Sequence, residues 1–205
     1  MNPTNEIDPD GDVIAIIPTT STKFRVSSIM LSLASPVFRA MLSPRLHEGI
    51  QVTPASATVL LEVEFPDESP QALEAIFNVL HFRQDCMSAN VSYDILYEIA
   101  LVVDKYDLVK ALGPWGEVWL RGAGGGGWGK RLFATYVFGD REGFRKECQR
   151  AILQSHGYDC NLNGGSEKGK ETEMEEENDW DSNLVPTRVL GKIYTSPSDA
   201  TCNYS

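Results

Sequence analysis

Apolar and polar positions change rhythm several times along this chain, and each rhythm predicts an element. Val13-Ile14-Ala15-Ile16-Ile17, between Gly11-Asp12 and Pro18, is a continuous apolar run of strand length. After a Thr/Ser turn, Lys23-Phe24-Arg25-Val26 alternates, so the two runs predict a β-hairpin. Ser28 is placed to cap a helix carrying Ile29, Met30, Leu31 and Leu33. Ser35-Pro36 then restarts the chain with a cap and a first-turn proline ahead of Val37, Phe38, Met41 and Leu42. Leu61-Glu62-Val63-Glu64-Phe65 alternates at period two, the signature of a half-buried strand.

Beyond this point the period lengthens to that of helices. Ser69-Pro70 repeats the cap-plus-proline start, and Leu73, Ile76, Phe77 and Leu80 follow at i, i+3, i+4 and i+7. Ile95, Leu96, Ile99, Val102, Val103 and Tyr106 form a second stripe. Past Gly113-Pro114 a short piece, Trp115 to Leu120, is expected before a glycine-rich loop. Leu132, Phe133, Tyr136 and Val137 then mark one helix, and Phe144, Cys148, Ala151 and Ile152 another, with Gly139-Asp140 as stop and cap between them. Strands come first and helices dominate later, which predicts an α+β fold: a small mixed β-sheet backed by a cluster of α-helices.

From Ser155 onwards the composition shifts to Gly, Asn, Ser and Glu with scattered apolar residues, too few to offset the entropy of ordering. Residues 157–205 are therefore expected to be an acidic, mostly disordered tail, with at most a short docking stretch around Leu184, Val185, Val189, Leu190 and Ile193.

Charge narrows the function classes. The chain carries a formal charge of −11; residues 1–160 hold 14 basic and 20 acidic side chains, and residues 161–205 hold 4 and 9. Binding to phosphate backbones works by Lys and Arg displacing counterions, and neither part has the surplus, so nucleic acid and anionic membranes are not expected as partners. No apolar run approaches the roughly 20 residues needed to cross a bilayer. The first twenty residues lack a basic start followed by an apolar core, so the expectation is a cytoplasmic or nuclear chain. In that setting Cys86, Cys148, Cys160 and Cys202 read as reduced thiols.

The residues and their order resemble the BTB/POZ family, in particular its short fungal members. The resemblance runs from Gly11-Asp12-Val13 through Phe24-Arg25-Val26-Ser27-Ser28-Ile29-Met30-Leu31 to Ser35-Pro36-Val37-Phe38-Arg39-Ala40-Met41-Leu42, whose S-P-x-F-x-x-M-L block is its most specific part. It continues through Val63 to Phe65, the Ser69-Pro70 helix ending at Leu80-His81-Phe82, and Asp104-Lys105-Tyr106-Asp107-Leu108, similar to the family's D-K-Y-x-L ending. Tyr136 to Asp140 with Phe144 is similar to the helical extension of the fungal members.

The resemblance implies a flexible lead at 1–10, a BTB/POZ-like domain at 11–112 and a helical extension at 113–156. It also implies a protein-docking function: other proteins as partners, a second copy of the chain among them, or alternatively cullin-3, for which the chain would serve as a ubiquitin-ligase substrate adaptor. Long-form members place an additional strand and helix ahead of the opening strand, and MNPTNEIDPD is short and proline-broken for that purpose. The residues expected to touch a partner are Met41, Leu46, His81, Phe82, Met87 and Tyr93. No cofactor, metal, small-molecule substrate or catalytic residue is expected.

Two chemical signals compete with that reading. Gly124-Gly125-Gly126-Gly127-Trp128-Gly129-Lys130 satisfies G-x-x-x-x-G-K, which would make the chain a degenerate phosphate-binding enzyme. A working phosphate loop ends in Ser or Thr to hold magnesium and joins a strand to a helix. Here Arg131 takes that place, and Glu117 to Arg121 reads as a helix end, so a flexible connector is expected. Cys148, His156 and Cys160 are the nearest approach to a zinc site, but zinc needs four convergent ligands, normally including a close cysteine pair. His47, in the polar stretch Pro44 to Gly49, reads as a surface loop residue.

Overall fold

The computed structural model describes residues 4–43, 60–86, 88 and 90–155. The chain divides into two units, Met1–Gly124 and Gly125–Ser205.

In the first unit the hairpin forms as its sequence predicts. Strand β2 (Val13–Ile17) pairs antiparallel with β3 (Thr22–Val26), Val13 opposite Val26 and Ile17 opposite Thr22. Ser21, at φ +55°, makes the turn. Strand β4 (Leu61–Glu64) lies parallel to β2 on its other side, with Val13 opposite Leu61. The continuous apolar run thus becomes an interior strand, flanked on both sides, while the alternating β4 sits at the edge with its two glutamates exposed.

The lead 1–10 differs from expectation. Asn5–Glu6 forms a short strand, β1, parallel to β3, and completes the order β1-β3-β2-β4. Two features hold it despite the prolines. Ile7 is buried, and the Arg83 guanidinium donates to the carbonyls of Glu6 at 2.9 Å and Ile7 at 3.4 Å.

Among the described residues this unit also holds helices α1 (Ser28–Ala34), α2 (Pro36–Met41), α3 (Pro70–Leu80), α4 (Tyr93–Lys105) and α5 (Val109–Gly122). Ser35, Ser69 and Ser92 cap α2, α3 and α4 by accepting from Phe38, Ala72 and Ile95 amides. At α1 the cap differs: Ser28 is the first helical residue, and its amide and hydroxyl donate to the Asp12 carboxylate at 2.7 and 2.6 Å. A carboxylate at a helix start complements the helix dipole. Burial alone would raise the Asp12 carboxyl, but the hydroxyl and amide of Ser28 outweigh it and hold it below its usual value.

Helix α5 runs unbroken through Gly113-Pro114, where the sequence suggested a stop. Pro114 takes the amide from one helical hydrogen bond, and the position is exposed, so the freed carbonyl is not sealed off from solvent. Leu112, Gly116 and Trp119 form one buried face, and Trp119 donates its ring N–H to the Ser88 carbonyl at 3.2 Å. Packing on that face offsets the loss at proline. The first unit runs on past Pro114 to Gly124, at the start of the glycine run.

The core is built on aromatic rings. Phe38 stacks on Tyr106 at 4.7 Å, Phe65 meets both edge-on or tilted, and Phe77 joins Phe65 to Phe24. Such pairs add about 0.5–1.5 kcal/mol each beyond their area burial. Leu73, Ile76, Leu96, Ile99 and Val103 are fully buried around them, so both helical stripes face the core.

In the second unit α6 (Trp128–Val137) packs on α7 (Arg141–Ser155). Gly139 (φ +72°) ends α6, and Asp140 caps α7 by accepting from the Gly143 amide at 2.9 Å, as the sequence predicts. Leu132, Phe133, Val137, Phe144, Cys148 and Ala151 are buried; the side chain of Ile152 lies outside the described residues. The expected tail, 157–205, does so entirely.

Candidate docking surface

Residues that fill a core explain themselves; large apolar side chains left in water do not. Among the described residues Ile29 is 68% exposed, Leu33 72% and Phe82 76%. Ile29 and Leu33 are one helical turn apart on α1, while Leu31 on the opposite side is buried. Phe82 follows the end of α3.

Phe82 also carries backbone strain. It sits at φ +57°, the left-handed region, which costs a non-glycine residue about 1 kcal/mol or more. The conformation belongs to a Schellman ending: the Phe82 amide donates to the Val79 carbonyl at 3.0 Å and the Arg83 amide to Asn78 at 2.8 Å. Glycine or asparagine usually fills that position. Here the chain holds a strained phenylalanine whose ring is turned out to solvent.

His81 joins α3 to α1. Its Nδ1 lies 2.8 Å from the Phe77 carbonyl, and its Nε2 accepts the Ser27 amide at 2.9 Å, immediately before α1. Ile29 and Phe82 thus stand two residues and one residue away from the same hydrogen bond. Burial pushes the His81 ring below the usual histidine range; Arg83 acts in the same sense, and the Phe77 carbonyl and Asp8 oppose them.

Of the residues expected to touch a partner, then, Phe82 is exposed and strained, and His81 is half-buried with both ring nitrogens engaged. Met41, at the end of α2, and Tyr93, at the start of α4, are half-buried. Leu46 and Met87 lie outside the described residues, as does His47. Ile29 and Leu33 are not among the residues the sequence marks for a partner; it marks them only as part of a helix capped by Ser28. The signal was present: Ile29, Met30, Leu31 and Leu33 cannot all face inward from a seven-residue helix.

A second feature of the same unit is a cleft of about 330 Å³ beside α3, lined in part by Ile7, Asn78, Arg83, Cys86 and Trp119. Asn78 is 5% exposed, and its Oδ1 has no hydrogen-bond partner.

The glycine run follows helix α5 where a phosphate loop would follow a strand. Gly125 and Gly126 turn at φ +70° and +72°. Arg131, at the magnesium-holding position of the motif, donates to the Gly126 carbonyl and to Glu147 at 3.1 Å. Of the three residues that come nearest to a zinc set in the sequence, Cys148 is buried in α7, and His156 and Cys160 lie outside the described residues. Among the described residues no helix is long and apolar enough to cross a membrane.

No family model matches this chain, and no curated protein matches it either.

Proposed function

We propose that this chain is a protein-docking module of the BTB/POZ type, which binds another protein through Ile29, Leu33 and Phe82 and carries out no chemistry of its own. The observation that carries the reading is Phe82: strained backbone and an exposed ring are two costs at one residue, and a buried protein interface offsets both. The small sheet backed by helices supports the family resemblance, as does the D-K-Y-x-L segment. Its Lys105 and Tyr106 both donate to buried Glu68 at 2.6 Å, and its Leu108 is fully buried.

The test uses the full chain in two assays, light scattering for a second copy and capture of purified cullin-3. Association in either assay, lost in Ile29→Asp/Leu33→Asp with unfolding midpoint unchanged, is the expected result. A chain that stays monomeric at high concentration and retains no cullin-3 overturns the proposal.

A further inference from the structure

We propose that His81 is a proton-sensitive positioning residue for this surface, holding the start of α1 against the end of α3 only while its ring is neutral. Its functional consequence rests on the docking reading above; the switch itself rests on hydrogen-bond geometry.

A carbonyl oxygen only accepts, so the ring nitrogen 2.8 Å from the Phe77 carbonyl, Nδ1, must carry the proton. Nε2 is then the bare nitrogen and accepts the Ser27 N–H at 2.9 Å. One tautomer satisfies both bonds. An imidazolium has N–H at both positions, and at Ser27 a donor would face a donor. Ser27 has no side-chain cap bond at the α1 start, so the start of α1 is tied back by two outside side chains, His81 to Ser27 and Asp12 to Ser28.

The charged groups around the ring are few. Asp8, from the segment after β1, favours the imidazolium; Arg83, from the turn after α3, opposes it; Asp12 is committed to Ser28. Burial outweighs them and keeps the ring neutral. The sign follows. A histidine depressed in the folded chain contributes fully above its unfolded value of about 6.5, and that contribution is lost as pH falls from there towards the folded value. Acidification therefore loosens the start of α1, and Ile29 and Leu33 lose their fixed position relative to Phe82.

Hydrogen exchange on the full chain reads the switch without any partner. The protection factor of the Ser27 amide should fall between about pH 7.5 and about pH 5.5, as pH drops through the unfolded histidine value of about 6.5. His81→Gln supplies an oxygen that accepts from Ser27 but does not titrate, and should flatten that response while retaining protection. This variant also separates His81 from His47 and His156. Nitrogen NMR of the wild-type ring checks the tautomer with no substitution at all. Protection of Ser27 that does not change with pH, a response unaltered in His81→Gln, or a proton found on Nε2 at neutral pH overturns the switch. Docking measured across the same pH range separates the two claims. Docking that ignores pH retires His81 as a positioning residue for this surface and leaves the docking surface standing, whereas a pH-dependent Ser27 with no association at any pH upholds the hydrogen-bond switch and retires docking.

Discussion

Helices α3 and α4 end in the same hydrogen bonds with opposite side chains. At α4 the Asp107 amide donates to Asp104 and the Leu108 amide to Val103; at α3 Phe82 donates to Val79 and Arg83 to Asn78. Both endings place one non-glycine residue in the left-handed region, Asp107 at φ +50° and Phe82 at φ +57°. The α6 ending repeats the pattern with Gly139. At α4 each choice serves stability. A short polar side chain tolerates the left-handed turn, and Leu108 and Val103 are both fully buried, the apolar pair usual in this motif. At α3 each choice runs the other way: a phenylalanine in the strained position, exposed, then Arg83 and Asn78 where an apolar pair is usual. The first ending is built to hold the fold. The second gives up stability, which is what the docking surface proposed above would require.

The comparison can be broken from its stable side first. Tyr106 stacks on Phe38 and donates to Glu68, so Tyr106→Ala should destabilise the chain by about 3–5 kcal/mol, read as a lowered urea midpoint. Acid reaches the same place. Burial raises the Glu68 carboxyl, but Lys105 and the Tyr106 hydroxyl outweigh it and hold it below its usual value. Stability from a depressed carboxyl is present above its unfolded value and lost as pH falls through the folded one. Melting temperature should therefore drop below about pH 4.5 in the wild type, and less so in Glu68→Gln. The smallest effect is expected at the turn itself. Asp107→Gly removes little strain and adds chain entropy, so its unfolding free energy should stay within about 0.5 kcal/mol of wild type.

Much of the fold was legible because its signals are local. The apolar run Val13–Ile17, the serine caps at Ser35, Ser69 and Ser92, and the stripe from Leu73 to Leu80 each carry their structure within a few residues. What escaped depended on partners far along the chain. β1 needs Arg83, some 77 residues away, and the α1 start needs Asp12 across the hairpin. Helix α5 crosses Pro114 because of the buried face that ends at Trp119. The surface was half legible. Phe82 stood out as an aromatic at a helix end, whereas His81 looked equally available and is engaged by Ser27 and Phe77. Ile29 and Leu33 were hidden by their resemblance to core residues.

The most direct test of the docking surface is Phe82→Gly, measured for equilibrium unfolding and for association in the same preparation. Glycine relieves the left-handed strain and removes the ring, so stability should rise by about 1 kcal/mol while association is lost. A variant that is less stable than wild type, or that associates as well as wild type does, would contradict the assignment of Phe82 to a binding surface.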